Sequence, residues 1–97
     1  MMAQMTEIFA LSPTMRDKIE YGLREVYVNP SSIAMIRSEP SMRRRLTEGK
    51  LPEGIDDRVE FSRVSISSSA HSSSIVVVGT PQMIQEKMSE SKQLLKG

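Results

Sequence analysis

The apolar residues of this chain fall into short, β-branched runs that turn-forming residues interrupt. Residues 26–28 are stopped by Asn29-Pro30, and residues 75–78 are stopped by Gly79. Val and Ile favour strands, Asn favours turns, and Pro cannot donate to a sheet ladder. No run approaches the ~20 residues that span a bilayer. The sequence therefore predicts short strands and no membrane-spanning segment.

Two further segments predict strands. Residues 33–37 form a second short apolar run, and residues 58–67 alternate apolar and polar side chains. The stretch 67–74 is almost all serine, which predicts a hairpin loop between this strand and the one at 74–78.

A C-terminal helix is predicted over residues 81–95. Thr80-Pro81 combines a capping side chain with a proline whose missing amide would be unpaired there. Ile84, Met88 and Leu95 then form an apolar stripe, with Gln, Glu and Lys on the other side.

The N-terminal quarter of the chain leaves alternatives open. Ser12-Pro13 resembles a helix start, and helical apolar spacing predicts a helix from residue 13 to about 24. Gly22 would cost ~1 kcal/mol inside that helix. The alternative is a strand over 18–21 with a hairpin turn at 22–24. Residues 1–11 fit either a short helix or, from residue 7, a strand.

With 97 residues, the chain is expected to form one domain over 1–97. The element order predicts an α+β fold. We expect a small antiparallel sheet of about four short strands, with an N-terminal helix and a C-terminal helix.

Composition excludes several classes of function. The chain has no cysteine, so disulfides, thiol catalysis and thiolate zinc sites are excluded. Its net charge of +1 argues against binding polyanions by whole-domain charge. The first residues lack the basic region of a secretory signal. We therefore expect a cytoplasmic protein, or a virion protein if the gene belongs to a phage.

Catalytic signals are weak. His71 lies among serines, but no nucleophile-elbow motif accompanies it, and one histidine supplies too few ligands for zinc. The acidic residues Glu53, Asp56, Asp57 and Glu60 do not have calcium-loop spacing. We expect no enzyme, no metal, no cofactor and no small-molecule substrate.

The most suggestive polar segment is the charged stretch 38–57, predicted as a long loop in which residues 41–47 could form one or two helical turns. It contains three consecutive arginines, which can bind carboxylates or phosphates through their guanidinium groups. The candidate partner-binding residues are Arg37, Arg43, Arg44, Arg45 and Lys50. Adjacent residues of a helix point in different directions, and no aromatic residue is interleaved for base stacking. These two points favour a protein partner over nucleic acid.

Part of the pattern resembles a known family. The matching segments are 26–30, 64–69 and 75–78, together with Ile33, Ile36 and a helix opening at Thr80-Pro81 with Ile84 and Met88. This pattern, over about half the chain, is similar to small bacterial and phage proteins of the flagellar and swarming motility type. The resemblance implies a β-sheet module closed by a helix, acting as a regulatory or structural accessory, and its phage members imply a virion or assembly role. The chain departs from the pattern in its longer N-terminal part and in the 38–57 stretch.

The sequence thus favours a non-catalytic interaction or structural accessory protein. It would self-associate, since exposed strand edges invite pairing, or dock a partner through residues 38–57. The alternative is a small nucleic-acid-binding regulator that uses Arg43, Arg44 and Arg45.

Overall fold

The protein is a five-stranded antiparallel sheet with one helix on each face. The computed structural model describes residues 2–11, 20–49, 51–52, 54–56, 58–67 and 72–96. The elements are, in order, β1 (Ala3–Ala10), β2 (Tyr21–Val28), a 3-10 turn (Pro30–Ser32), β3 (Ile33–Ser38), α1 (Pro40–Thr47), β4 (Phe61–Ser67), β5 (Ser72–Val78) and α2 (Pro81–Lys96). The strand order across the sheet is β2-β1-β5-β4-β3. The C-terminal strand β5 therefore lies at the centre, between β1 and β4.

Two apolar clusters lie on opposite faces of the sheet. On the face that α2 covers, the buried residues include Met5, Val64, Val77 and Ile84. On the face that α1 covers, the buried residues include Ile8, Met42, Phe61 and Val76. Neighbouring residues of a strand point to opposite faces, so Val76 and Val77 place β5 in both clusters. The central strand is thus buried on its two sides.

Helix α1 covers only part of its face. Ile8 and Val76 are buried beneath it, whereas Ser72 and Ser74 on β5, at the β4–β5 hairpin end of the sheet, are exposed. That half of the α1 face is open to solvent.

The predicted N-terminal helix is wrong where the structure describes it. Residues 3–10 and 21–28 are paired strands, and residues 12–19 lie outside the described residues. The hairpin turn considered at 22–24 is wrong as well. Gly22 instead accommodates the Phe9 ring, because a Cβ there would lie 3.1 Å from Phe9 Cζ. A glycine inside a strand often marks such a close approach.

The strand count and two loop predictions also need correction. The described residues form five strands rather than four. The 38–57 stretch is not a loop throughout, because Ser38 ends β3 and the helical turns considered for residues 41–47 are present as α1, Pro40–Thr47. Residues 72–74, predicted as loop, pair with residues 65–67 of β4. Ladder bonds use backbone groups, so serine side chains do not prevent pairing. Residues 68–71 of that predicted loop lie outside the described residues.

The C-terminal helix prediction is confirmed. Helix α2 spans Pro81–Lys96, and the Thr80 hydroxyl accepts the Met83 N–H at 3.2 Å. Ile84 is buried against the sheet, and Met88 is half-buried. Within the described part of the chain, neither helix has the length and apolarity of a membrane span.

Adjacent substitutions in β1 test the strand and its facing. Met5 is buried and Thr6 is exposed. Met5→Ala should lower the free energy of unfolding by about 2–5 kcal/mol, because it leaves a cavity under α2. Thr6→Ala should cost less than about 1 kcal/mol, within the range of strand propensities. Urea unfolding followed by circular dichroism measures both, and equal losses would contradict the alternation.

Candidate partner-binding surface

The three arginines of α1 point to different surroundings. The Arg43 Nη1 donates to two backbone carbonyls of residues 58–59, each at 3.3 Å. The Arg45 guanidinium carbon lies 5.6 Å from the centroid of the Tyr21 ring. Arg44 is exposed, and its guanidinium makes no hydrogen bond or ion pair with any residue the structure describes. Successive helical residues are about 100° apart, so the run does not form one patch.

Arg37 lies beside Arg63, which was not among the candidate residues predicted from the sequence. It pairs across the β3–β4 ladder with Arg63, directly opposite on the same face. The Glu39 N–H donates to the Phe61 carbonyl at 2.9 Å. Because every second pair along an antiparallel ladder is hydrogen-bonded, the Arg37–Arg63 pair, two residues away, is a hydrogen-bonded pair as well. Their Cα atoms are then about 5.5 Å apart. The available signal was that Arg63 interrupts the apolar alternation of β4.

One carboxylate compensates part of the positive charge of this arginine pair. Arg63 Nε donates to Glu39 Oε2 at 2.6 Å, and the Ser41 hydroxyl donates to Glu39 Oε1 at 2.7 Å. The Ser41 hydrogen bond and then the Arg63 hydrogen bond lower the pKa of Glu39, and the charge of Arg37 adds a smaller effect in the same direction. Arg63 also donates through Nη1 to the Ser74 hydroxyl at 3.0 Å. The ionised Glu39 carboxylate therefore links Ser41 at the start of α1 to Arg63 on β4.

The Arg37 side chain is left exposed and makes no hydrogen bond to a described residue. We term the guanidinium groups of Arg37, Arg43, Arg44 and Arg63 the arginine surface. They belong to β3, α1 and β4 on the α1 side of the sheet, as separate groups rather than one contiguous patch. Guanidinium groups of this kind pair with carboxylates or phosphates in a planar, two-bond geometry. Lys50, the remaining candidate from the sequence, lies outside the described residues.

Other chemistry is sparse in the described part of the chain. No three His, Asp or Glu side chains converge there to hold a metal ion. His71, Glu53 and Asp57 lie outside the described residues. A shallow depression near the β4–β5 hairpin is lined by Ala34, Ile66 and the serines 65, 67 and 72–74. It offers hydroxyl groups but no charged side chain.

Comparison with known proteins found no matching family, curated protein or solved structure. The resemblance to the motility-type proteins therefore stays a prediction.

Glu39→Gln should destabilise the protein in a pH-dependent way. A carboxylate with a lowered pKa contributes stability above its ordinary pKa near 4.5, and this contribution is lost as the pH falls through the lowered value. At neutral pH we expect a loss of about 1.5–3 kcal/mol, the range for hydrogen bonds to charged groups. The difference from the wild type should disappear in acid.

Urea unfolding at a series of pH values measures this difference. Glu86→Gln, at an exposed position of α2, is the matched control and should show little difference at any pH. A loss in Glu39→Gln that stays constant from neutral to strongly acidic pH would contradict the role of this carboxylate.

Proposed function

We propose that this chain is a non-catalytic interaction protein that docks an acidic segment of a protein partner on the arginine surface. The observation that supports this most is the Arg37–Arg63 pair with Glu39. Two guanidinium groups face one carboxylate, which leaves one positive charge uncompensated. Like charges directly opposite on a sheet are destabilising. A carboxylate supplied by a partner would offset that repulsion. Binding of the partner would therefore also stabilise this part of the sheet.

The surroundings of the arginines suit a protein partner. Met35 pairs with Ser65 next to Arg37 on the same face and is 50% exposed. Beyond it lies the open half of the α1 face, with its hydroxyl groups. Met and Arg are enriched in protein interfaces, where apolar contacts combine with a few directed polar groups. The resemblance noted from the sequence implies a structural or assembly role, which would need a surface of this kind.

Nucleic acid is the alternative ligand for the same guanidinium groups. Phosphate binding of this type depends on several cations and on the release of counterions. The chain carries a net charge of only +1. In addition, Arg43, Arg45 and Arg63 each make a contact within the fold. These facts favour a partner that presents a few carboxylates over a polyanion.

The double variant Arg37→Ala/Arg44→Ala tests the proposal. Both side chains are exposed and make no hydrogen bond to described residues, so the melting temperature should not fall, and loss of the Arg37–Arg63 repulsion should raise it slightly. Affinity for a fluorescent ten-residue glutamate peptide should fall at least about tenfold, equivalent to about 1.4 kcal/mol. Fluorescence anisotropy measures the affinity, with a ten-nucleotide single strand as the second probe.

The control is Lys92→Ala/Lys96→Ala, which removes the same charge from residues of α2. It should bind the peptide as the wild type does. Equal peptide binding by all three proteins would overturn the proposed surface. Preferential binding of the oligonucleotide, weakening steeply with salt, would overturn the protein partner and establish the nucleic-acid alternative.

A further inference from the structure

Strand β2 is at one edge of the sheet, and its backbone groups alternate in direction. The Leu11 N–H donates to the Glu20 carbonyl at 2.7 Å, and the β1–β2 register continues without a break. Every second pair along an antiparallel ladder is hydrogen-bonded. The even-numbered residues of β2 therefore bond to β1. The residues that direct their N–H and C=O groups away from the sheet are Tyr21, Leu23, Glu25 and Tyr27. No described backbone group forms a hydrogen bond with these outward groups.

The β2 edge lacks the protection that the opposite edge has. Strand β3 has six residues and a register shift between Ile33 and Met35. Prolines lie close to both of its ends, at positions 30 and 40. It also carries Arg37 beside Arg63, a positive pair that would repel a second copy. Strand β2 has eight residues, no proline or lysine, and an unbroken register with β1. Long, regular edges of this kind are templates for pairing with another chain.

The exposed side chains of β2 add apolar area to this edge. Leu23 is 41% exposed and Tyr27 is 60% exposed, and both lie on the α1 face with Glu25 between them. The adjacent charges, Arg24 and Glu25, have opposite signs. The edge as a whole therefore carries no charge that would repel a copy of itself.

We infer that β2 pairs antiparallel with β2 of a second copy of this chain, joining two sheets into one of ten strands. In both copies the outward groups belong to odd-numbered residues, so odd residues pair with odd residues. Residues opposite each other lie on the same face of a sheet. Both α2 helices then lie on one face of the joined sheet and both α1 helices on the other.

Charge and hydrogen bonding select the register centred on Arg24. It places Tyr21 opposite the partner's Tyr27, and Leu23 opposite the partner's Glu25, so all outward groups of the edge are bonded. Centring on Glu25 instead would set that carboxylate opposite its own copy, which is destabilising. Arg24 meets its copy at the two-fold axis, where each guanidinium is already bonded to its own Glu7 at 2.8 Å.

The chosen register also brings opposite charges together. The Arg45 guanidinium lies over Tyr21, at 5.6 Å from the ring centroid. The partner's Tyr27 is then opposite Tyr21, and the partner's Glu25 is the next residue along the same face. The partner thus supplies a second aromatic ring and a carboxylate near Arg45. The two-fold symmetry repeats this contact.

The oligomeric mass tests the edge. Light scattering on a sizing column should give the wild type twice the 10.9 kDa of one chain at micromolar concentration. Leu23→Lys/Tyr27→Lys should give a folded monomer, because lysines on an edge block pairing. Met35→Lys, at a similarly exposed position on the opposite edge, should stay dimeric. A monomeric wild type, a dimeric edge variant or a monomeric Met35→Lys would each overturn the inference.

Cross-linking tests the register, because the chain has no cysteine of its own. Leu23→Cys and Glu25→Cys, mixed and then oxidised, should form a disulfide-linked dimer, since the Cα atoms would be about 5.5 Å apart. Each variant alone should cross-link poorly, because its own copies are offset along the strands. Efficient cross-linking of Glu25→Cys alone would overturn the register.

The dimer goes beyond the docking of an acidic partner and uses different residues. The experiments can therefore contradict one of the two proposals without contradicting the other. Arg37→Ala/Arg44→Ala should keep the dimer mass, and the edge variant should bind the glutamate peptide no more weakly than the wild type. Loss of the dimer in the arginine variant would contradict the β2 edge as the contact.

Discussion

The short pairing of β1 with β5 is the contact on which the rest of the sheet depends. Its register aligns Glu7 with Val77 and Ile8 with Val76, and it joins the β1–β2 hairpin to the β3–β4–β5 unit. A two-stranded hairpin alone is marginally stable in water. A slip of one residue would exchange the faces of Val76 and Val77 and move each away from its cluster. Packing on both faces therefore fixes the strand order, and with it the two edges.

The two faces of the sheet are covered unequally, and the interaction surfaces follow from this. A chain of this size has a limited apolar content, 38% here, and cannot bury both faces of a five-stranded sheet completely. Helix α2 closes one face, whereas α1 covers part of the other. The arginine surface lies where α1 begins, and the exposed side chains of the β2 edge lie on the same face. Docking and self-association would thus both use the side with the incomplete cover.

The N-terminal strand shows why local patterns were insufficient. In β1 the buried positions include Ala3, Met5 and the acidic Glu7, so the alternation of apolar and polar residues is hidden in the sequence. Glu7 is tolerated there because Arg24, seventeen residues later, donates to it at 2.8 Å. That partner becomes adjacent only when β2 pairs with β1. Gly22 likewise appears in the sequence only as a residue unfavourable to a helix. Its role, which is to leave room for the Phe9 ring, depends on the pairing of β2 with β1.

The sequence by itself determined the features that depend on neighbouring residues. These are the capped amphipathic helix at the C-terminus, the β-branched runs that became β3, β4 and most of β5, and the lack of thiol chemistry. Only the tertiary structure decided which strands lie at the edges, that Arg37 faces Arg63 across a ladder, and that the arginines of α1 have separate contacts. Strand order and register come from packing between residues far apart in the chain, and single-sequence periodicity carries no record of which distant residues will meet.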